Sequence, residues 1–458
     1  MTSLTYKVAT GVTLISLSNI IIGLFNLLSF ILVIRVLNRY EYGLIVLALS
    51  AVNIANTLLD PGIKNVIISD VSREKRKNRY DRVKTLLYRY FQLEIIVGLF
   101  IFIIVYLSEA YFAKRYSDVI AELIKISAFL IIANALKNIF FVTFSSHLKF
   151  KPILYLNGGE SFFRFLYIFL FGYYFNFGIY GIMLTYPLSI ISSIVLTSCW
   201  YINVIKDYLP ITRSKEGFFF NTLTSHAKWS IGIFSLKNII NNVHPWIIQY
   251  FIGVEAVAIF NVARRVVMYL NSLLSPFESV LMPIIPQEMT DTKKINKIIN
   301  KVIKYSMWIS LPIIIIGILL STKLFHILFG HNYTESAKLF RILIFVSILY
   351  SLNLTMRPIF FAFKLLKFLF VVYIISVICF IIFGVGLTLA AGLYGMVLAI
   401  IIVNFIAFLL RYLYIRSKLG LKIEFINILK IDDYDKEIIF KAIKQIIMFL
   451  RGKTHEKS

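Results

Sequence analysis

Charge is scarce in this chain. Charged residues make up 16% of its 458 positions and hydrophobic ones 59%, where a soluble domain would carry about 25% charged residues. Apolar runs of about 20 residues recur from end to end, which excludes one hydrophobic core in water. Cysteine is scarcer still. Cys199 and Cys379 both sit inside apolar runs and define neither a disulfide framework nor a metal site. No G-x-x-x-x-G-K-[ST] loop is present, so the chain does not hydrolyse ATP itself. No cluster of His, Cys and carboxylate has metal-ligand spacing, and no G-x-S-x-G elbow appears. Nothing in the sequence implies a cofactor.

What is present is a series of apolar spans. Twelve are predicted, near 9–36, 43–66, 91–107, 118–141, 155–174, 179–202, 229–250, 256–284, 305–328, 338–363, 368–388 and 391–410. The first has no small-residue cleavage site, so it is expected to remain as a span. The predicted fold is an all-α integral membrane protein with about twelve transmembrane helices in two six-helix bundles around a central cavity. The predicted boundaries are 1–210 for the first bundle, 225–415 for the second and 416–458 for a basic tail. Within that tail, Ile431 to Arg451 alternates Ile and Leu with charges and reads as an amphipathic helix on the membrane surface.

The net charge of +25 would suggest nucleic acid in a soluble chain, but its placement argues otherwise. Of the 48 Lys and Arg, twelve fall within spans. Three, Arg39, Lys114 and Arg115, fall in the loops on one side, and 33 fall on the other. The crowded side holds Arg73, Lys75, Arg76, Lys77 and Arg79, and the run Lys293 to Lys304. This asymmetry places both termini in the cytoplasm, with the basic loops against anionic headgroups. Membrane lipids, not nucleic acid, are the expected partners of these loops.

Several spans carry a polar face. Asn53, Asn56, Asp60 and Lys64 are spaced 3, 4 and 4, so they share one side of a helix. An ionisable group at mid-bilayer costs roughly 2.5–3.5 kcal/mol, so this stripe faces protein or a water-filled cavity. The eighth span carries Asn261, Arg264, Asn271, Ser275 and Glu278 on one face, with Arg265 beside it. The seventh carries Lys237, Asn241 and His244, and the fifth carries Glu160 and Arg164 at i,i+4. Glu160 and Arg164 form either a structural pair or part of a site. Lys64, Lys137 and Arg357 lie near span ends, where snorkelling to headgroups is the alternative. Arg164, Lys237, Arg264 and Arg265 lie far from both surfaces. Cations there suit a phosphate or an acidic sugar. Asp60 and Glu278 are the candidate carboxylates for ion coupling, although Lys64 is one turn from Asp60 and equally reads as its structural partner.

A weak internal repeat pairs Leu37–Ala48 with Ile252–Ala263, offset by 215 residues. Duplicated halves flanking a central site are a common transporter plan. The segments Arg35-Val-Leu-Asn-Arg-Tyr-Glu-Tyr-Gly43 and Leu58-Leu-Asp-Pro-Gly62 resemble the first two helices of polysaccharide flippases in the multidrug/oligosaccharidyl-lipid/polysaccharide exporter superfamily. Gly253 to Arg265 looks like the corresponding segment of the second half, and Pro283 and Pro286 match its proline-bearing end. The likeness spans roughly residues 5–415. Pro61 interrupts the family's Asp-Gly pair, and the tail beyond Lys418 has no counterpart.

The resemblance implies alternating access in a bacterial inner membrane. The implied cargo is an undecaprenyl-pyrophosphate-linked oligosaccharide, the O-antigen or capsule repeat unit. A polysaccharide polymerase and a chain-length regulator are the implied partners. A drug/cation antiporter of the same superfamily would need an acidic cavity, whereas here bases outnumber acids within the spans. A membrane-embedded polymerase would need a large outer loop with Arg or His, which is missing. A lipid II flippase is the close alternative within the fold. Reporter fusions after Lys84 are expected to be active only as cytoplasmic reporters; an outward signal there overturns the predicted topology.

Overall fold

Fifteen helices account for most of the described residues in a computed structural model of the chain. The described residues are 3–59, 62–212, 214, 228–287, 291–422 and 424. The first half holds α1 (Ser3–Val36), α2 (Arg39–Leu59), α3 (Ile63–Arg76), α4 (Tyr80–Leu107), α5 (Glu109–Arg115), α6 (Asp118–Ser146), α7 (Phe150–Ile168) and α8 (Gly178–Ile205). The second holds α9 (Lys228–Phe251), α10 (Val254–Ser272), α11 (Ser275–Gln287), α12 (Thr292–Phe329), α13 (Thr334–Leu343), α14 (Val346–Ala362) and α15 (Leu366–Leu419). At 54 residues α15 would run about 80 Å, over twice the ~30 Å hydrocarbon core. It bends at Ala391 and Gly392, whose backbone is not helical, and so serves as two arms. With α5 taken as an extension of α4, with α2–α3, α10–α11 and α13–α14 as broken pairs and with α15 as two arms, the described helices group into twelve rods.

Three expected single spans are broken. The second, expected to run unbroken to residue 66, divides between α2 and α3, where Gly62 holds a left-handed φ of 100° that glycine tolerates and Cβ-bearing residues resist. The eighth breaks after Ser272 and resumes at Ser275. The tenth bends by 49° between His331–Leu343 and Val346–Ala362. Among the described residues, six helical stretches pass as membrane-crossing on length and apolar composition alone, or seven if that bent pair counts as one. The passes that fall short include α7, α9 and α10, which carry Glu160 and Arg164, Lys237 and Asn241, and Arg264 and Arg265. Their polar groups lower the mean hydropathy because these helices face the interior as well as lipid.

Lys422 and Glu424 lie against α12. The Lys422 amide donates to Asn296 Oδ1 at 2.9 Å and the Glu424 amide to Asn300 Oδ1 at 2.9 Å. The expected amphipathic stretch Ile431–Arg451 lies outside the described residues.

The halves meet at the pole opposite the basic loops. There Asn38 and Glu41 form a capping box: the Glu41 amide donates to Asn38 Oδ1 at 2.9 Å, and the Asn38 amide to Glu41 Oε2 at 3.0 Å. This starts α2 so that Tyr42 and Gly43 face α10. The Tyr42 hydroxyl donates to Asn261 Oδ1 at 2.7 Å. A Cβ on Gly43 would collide with the Val254 carbonyl. Arg35 donates to the Leu328 carbonyl at 3.1 Å and also to that of Ile327, closing the free end of α12. Trp246 packs on Phe112 and Tyr116 at ring distances of 5.6 and 5.5 Å.

One cluster of buried apolar side chains crosses this junction, from Phe30, Tyr42 and Ile45 to Val257, Phe260 and Phe329. At the basic pole the apolar clusters are separate, one around Ile67, Val83 and Val204 and another around Ile299, Met356 and Ile415. The apolar core therefore runs between the halves at one pole, while at the other each half has its own cluster. Gly43→Leu is expected to part the joined pole. The Arg39 guanidinium lies 6.0 Å from the Tyr333 ring centroid, so with Cys199 and Cys379 replaced by Ser, a cysteine pair placed by Arg39→Cys and Tyr333→Cys should link efficiently through a short bis-thiol reagent. Gly43→Leu should cut that yield several-fold, and an unchanged yield would refute the close-approach argument.

Candidate functional site

Three polar cavities lie inside the helical layer, and α9 and α10 are the walls between them. Consecutive residues on a helix point about 100° apart. Arg264 and Arg265 therefore face different spaces.

The largest of the three, about 560 Å³, lies within the second half. It is lined by Lys237, Asn241 and His244 of α9, by Arg264 and Asn271 of α10, and by Glu278 of α11. Arg357 of α14 and Arg411 of α15 complete it. Arg264 donates to His244 Nε2 at 3.0 Å and to Asn241 Oδ1 at 3.2 Å. Arg411, only 4% exposed, donates to Asn353 Oδ1 at 2.7 Å and lies 5.2 Å from the Tyr373 ring. Arg357 pairs with Glu278 at 2.7 Å. Four cations thus face one carboxylate, and three of them have no ion-pair partner among the described residues. Asn271 Oδ1 and Arg411 Nε are buried without a hydrogen bond.

A second chamber, about 350 Å³, lies between the halves. Arg164 of α7 and Arg265 of α10 enter it together with Asn26, Ser29, Tyr186 and Tyr269. Arg164 is held by Glu160, which also binds Lys137 across from α6. Its guanidinium lies 5.3 Å from the Tyr186 ring centroid, and that of Arg265 lies 5.0 Å from Phe30. Such stacking holds a planar cation flat and leaves its edge N–H groups for an acceptor. Arg265 makes no ion pair among the described residues, and Arg164 Nε and Ser29 Oγ are buried without a hydrogen bond.

The third space, about 380 Å³, is a cleft lined by Asn53, Asn56, Leu59, Lys64, Asn134, Asn138, Asn238 and Asn242. Asn53 and Asn56 reach it as the spacing predicts, and Lys64 joins them despite the break at Gly62.

The predicted residues thus divide among three spaces. Arg164 and Arg265 come together; Lys237, Asn241, Arg264, Asn271 and Glu278 come together elsewhere; Asn53 and Asn56 form a third group. Asn261 enters none, because its amide is held by Tyr42 at the joined pole. Asp60 lies outside the described residues. Lys137 and Arg357 do not snorkel: carboxylates at Glu160 and Glu278 hold them inside. Arg411 was not legible as a site residue because it follows the last apolar run directly and reads as a flanking cation. Asn134, Asn138, Asn238 and Asn242 were also missed, although the doublets Lys237-Asn238 and Asn241-Asn242 carry the signal of a helix walled by two polar spaces.

Residues 32–338 match the model of a family described as polysaccharide biosynthesis protein. No curated protein sequence matches the chain. Among solved structures, an inward-facing multidrug resistance MATE family transporter of the MOP superfamily aligns with a TM-score of 0.74 and 15% identity, covering 90% of this chain and 98% of its own. Lipid II flippase MurJ in an inward closed conformation aligns at 0.71 and 14%, covering 96% and 93%. A MOP superfamily transporter from Pyrococcus furiosus, described as having a binding pocket of reversed polarity, aligns at 0.62 and 14%, covering 92% and 94%. These likenesses establish a shared fold of two helical bundles, that of multi-pass membrane transporters.

The Lys137–Glu160–Arg164 cluster sets a stability test. Removing one partner of a buried ion pair costs about 3–5 kcal/mol, because the remaining charge stays desolvated. Glu160→Ala is expected to lower the melting temperature of the detergent-solubilised protein by several degrees. Glu160→Gln, which keeps an acceptor, should fall between it and wild type. Unchanged melting in Glu160→Ala would show that neither cation depends on this carboxylate.

Proposed function

The chain belongs to the polysaccharide biosynthesis protein family, and from that premise we propose that it is a flippase for undecaprenyl-pyrophosphate-linked oligosaccharide repeat units, such as those of O-antigen or capsule. The observation that carries the reading is the charge of its interior. Six cations, Arg164, Lys237, Arg264, Arg265, Arg357 and Arg411, line the two cationic cavities, with Glu278 as the one lining carboxylate among the described residues. Burying unpaired cations is costly. The cost is offset when an anion with several acceptor oxygens enters, and charge-assisted hydrogen bonds to it are the strong kind. A pyrophosphate fits that description, and an organic cation does not.

Arg164 and Arg265 are the preferred pyrophosphate ligands, because they come from opposite halves and meet at the junction. The separation of the apolar clusters at the basic pole supports entry from the cytoplasmic side of a bacterial inner membrane, where the basic loops and both termini are proposed to lie. The lipid tail would remain in the bilayer between the halves. Reorientation requires parting the Arg35, Tyr42 and Trp246 contacts of the joined pole and closing the basic one. The energy for direction would come from a gradient, with Asp60 and Glu278 as the proposed carriers, or from removal of product. Arg357 occupies one oxygen of the Glu278 carboxylate, at 2.7 Å. The polymerase and chain-length regulator would act on the delivered product.

Flipping of undecaprenyl-pyrophosphate-linked saccharide in reconstituted vesicles tests the reading. Arg164→Ala with Arg265→Ala is expected to lower the rate by roughly 10–100-fold, as loss of charged hydrogen bonds worth ~1.5–3 kcal/mol would. The corresponding pair of Lys substitutions should retain part of it. Full flipping by the stably inserted Ala pair would defeat the assignment. Flipping undiminished after proton and sodium gradients are collapsed would remove Asp60 and Glu278 from the coupling role.

A further inference from the structure

The asparagine cleft lies outside both cationic cavities, and its chemistry differs from theirs. Three helices contribute two amides each, one turn apart: Asn53 and Asn56 from α2, Asn134 and Asn138 from α6, Asn238 and Asn242 from α9. Residues at that spacing are neighbours on one helix face, so each helix presents a short amide row. Two rows belong to the first half and one to the second. The cleft therefore spans the junction, on the side nearer the basic pole.

Packing alone does not account for six amides here. Asn53 is exposed and the other five are half-buried, so their amides stay open to a ligand. Here internal satisfaction is slight. Asn53 donates to Asn242 Oδ1 at a long 3.4 Å, Asn242 donates to the Asn238 carbonyl of its own helix at 2.8 Å, and Asn138 reaches Glu94 at 3.4 Å. Asn56, Asn134 and Asn238, one from each helix, make no side-chain hydrogen bond among the described residues, and Asn56 Oδ1 is buried. Each free amide offers two donors and two acceptor lone pairs. Lys64 is the one cation on the lining, and no carboxylate is on it.

From this juxtaposition we infer that the cleft binds the uncharged, polyhydroxylated part of a glycan. A hydroxyl both donates and accepts, and so does an amide. Rows of amides on three sides match a sugar ring presenting hydroxyls around its edge. Neither a phosphate, which a single lysine does not neutralise, nor a divalent metal ion, for which the lining holds no carboxylate, has that match. The volume of about 380 Å³ lies within the ~300–1,000 Å³ range of small-ligand sites. The doublets of α9 place this cleft directly behind the cationic cavity, so pyrophosphate and sugar would be read on opposite faces of one helix. The inference rests on the flippase reading and deepens it by assigning the sugar a separate site.

Asn56, Asn134 and Asn238 form no internal bond, so replacing them by Ala removes recognition without unpairing a neighbour. Protein in lipid nanodiscs would be titrated with undecaprenyl pyrophosphate carrying one N-acetylhexosamine, with undecaprenyl pyrophosphate, and with undecaprenol. Wild type should bind the glycosylated lipid about tenfold tighter than the bare pyrophosphate, the gain of a couple of net hydrogen bonds. The triple variant Asn56→Ala, Asn134→Ala, Asn238→Ala should lose that advantage and keep its affinity for bare undecaprenyl pyrophosphate. A variant that retains the full advantage, or a wild type that shows none, overturns the asparagine site. Failure of the flippase reading has a different signature: undecaprenyl pyrophosphate held no better than undecaprenol.

Discussion

A guanidinium inside a membrane-spanning helix must find water, an anion or a π-face, and the interior of this protein is arranged around that constraint. Arg265 lies on Phe30, Arg164 is gripped by Glu160, Arg357 by Glu278, and Arg411 by Asn353 and Tyr373. Two of these four are neutralised by carboxylates. The others are held in place by neutral groups that orient the charge without cancelling it. This leaves the positive potential of the cavities available to an incoming anion while preventing the side chains from collapsing onto one another.

Helices α9 and α10 bring the three spaces together. Each is polar on two sides, which costs it the continuous apolar surface a lipid-facing span would have. The loss is tolerable because both lie at the junction, packed on α2 of the first half. The adjacent pair Arg264 and Arg265 then supplies one cation to each cationic cavity. The pairs Lys237-Asn238 and Asn241-Asn242 do the same for the cationic cavity and the amide cleft. A shift of α9 or α10 would therefore move residues in two spaces at once.

The joined pole supplies the other half of a transport cycle. Its contacts are of mixed kind: a close backbone approach at Gly43, an arginine capping the end of α12, and an aromatic cluster at Trp246. The close approach is short-ranged and holds only while the backbones touch. Arg35 and Tyr42 make directional hydrogen bonds to polar groups that water can satisfy once the halves part. Such a junction is firm when closed yet leaves no permanently orphaned charge when open. The separate apolar clusters at the basic pole give each half its own support there, so division at that end costs neither half its core.

The helical membrane class was legible in the sequence, because apolar run length is set by bilayer thickness and needs no tertiary information. The capping signal Asn38-x-x-Glu41 was likewise local. The cationic interior was legible as composition, from Arg164, Lys237, Arg264 and Arg265 at mid-span. Which of them share a space was not. One-residue steps of 100° decide between two cavities, and the helix rotation that settles the matter comes from packing across sequence separations of a hundred residues or more. The same holds for Asn261, whose spacing placed it with Arg264 and Asn271 but whose amide is taken by Tyr42 from the other half. Lys137 and Arg357 lie near span ends, where sequence cannot distinguish a snorkelling cation from an ion pair; only the folded chain brings Glu160 and Glu278 within reach. Sequence therefore determined what the helices are made of, and the tertiary structure decided what their polar groups face.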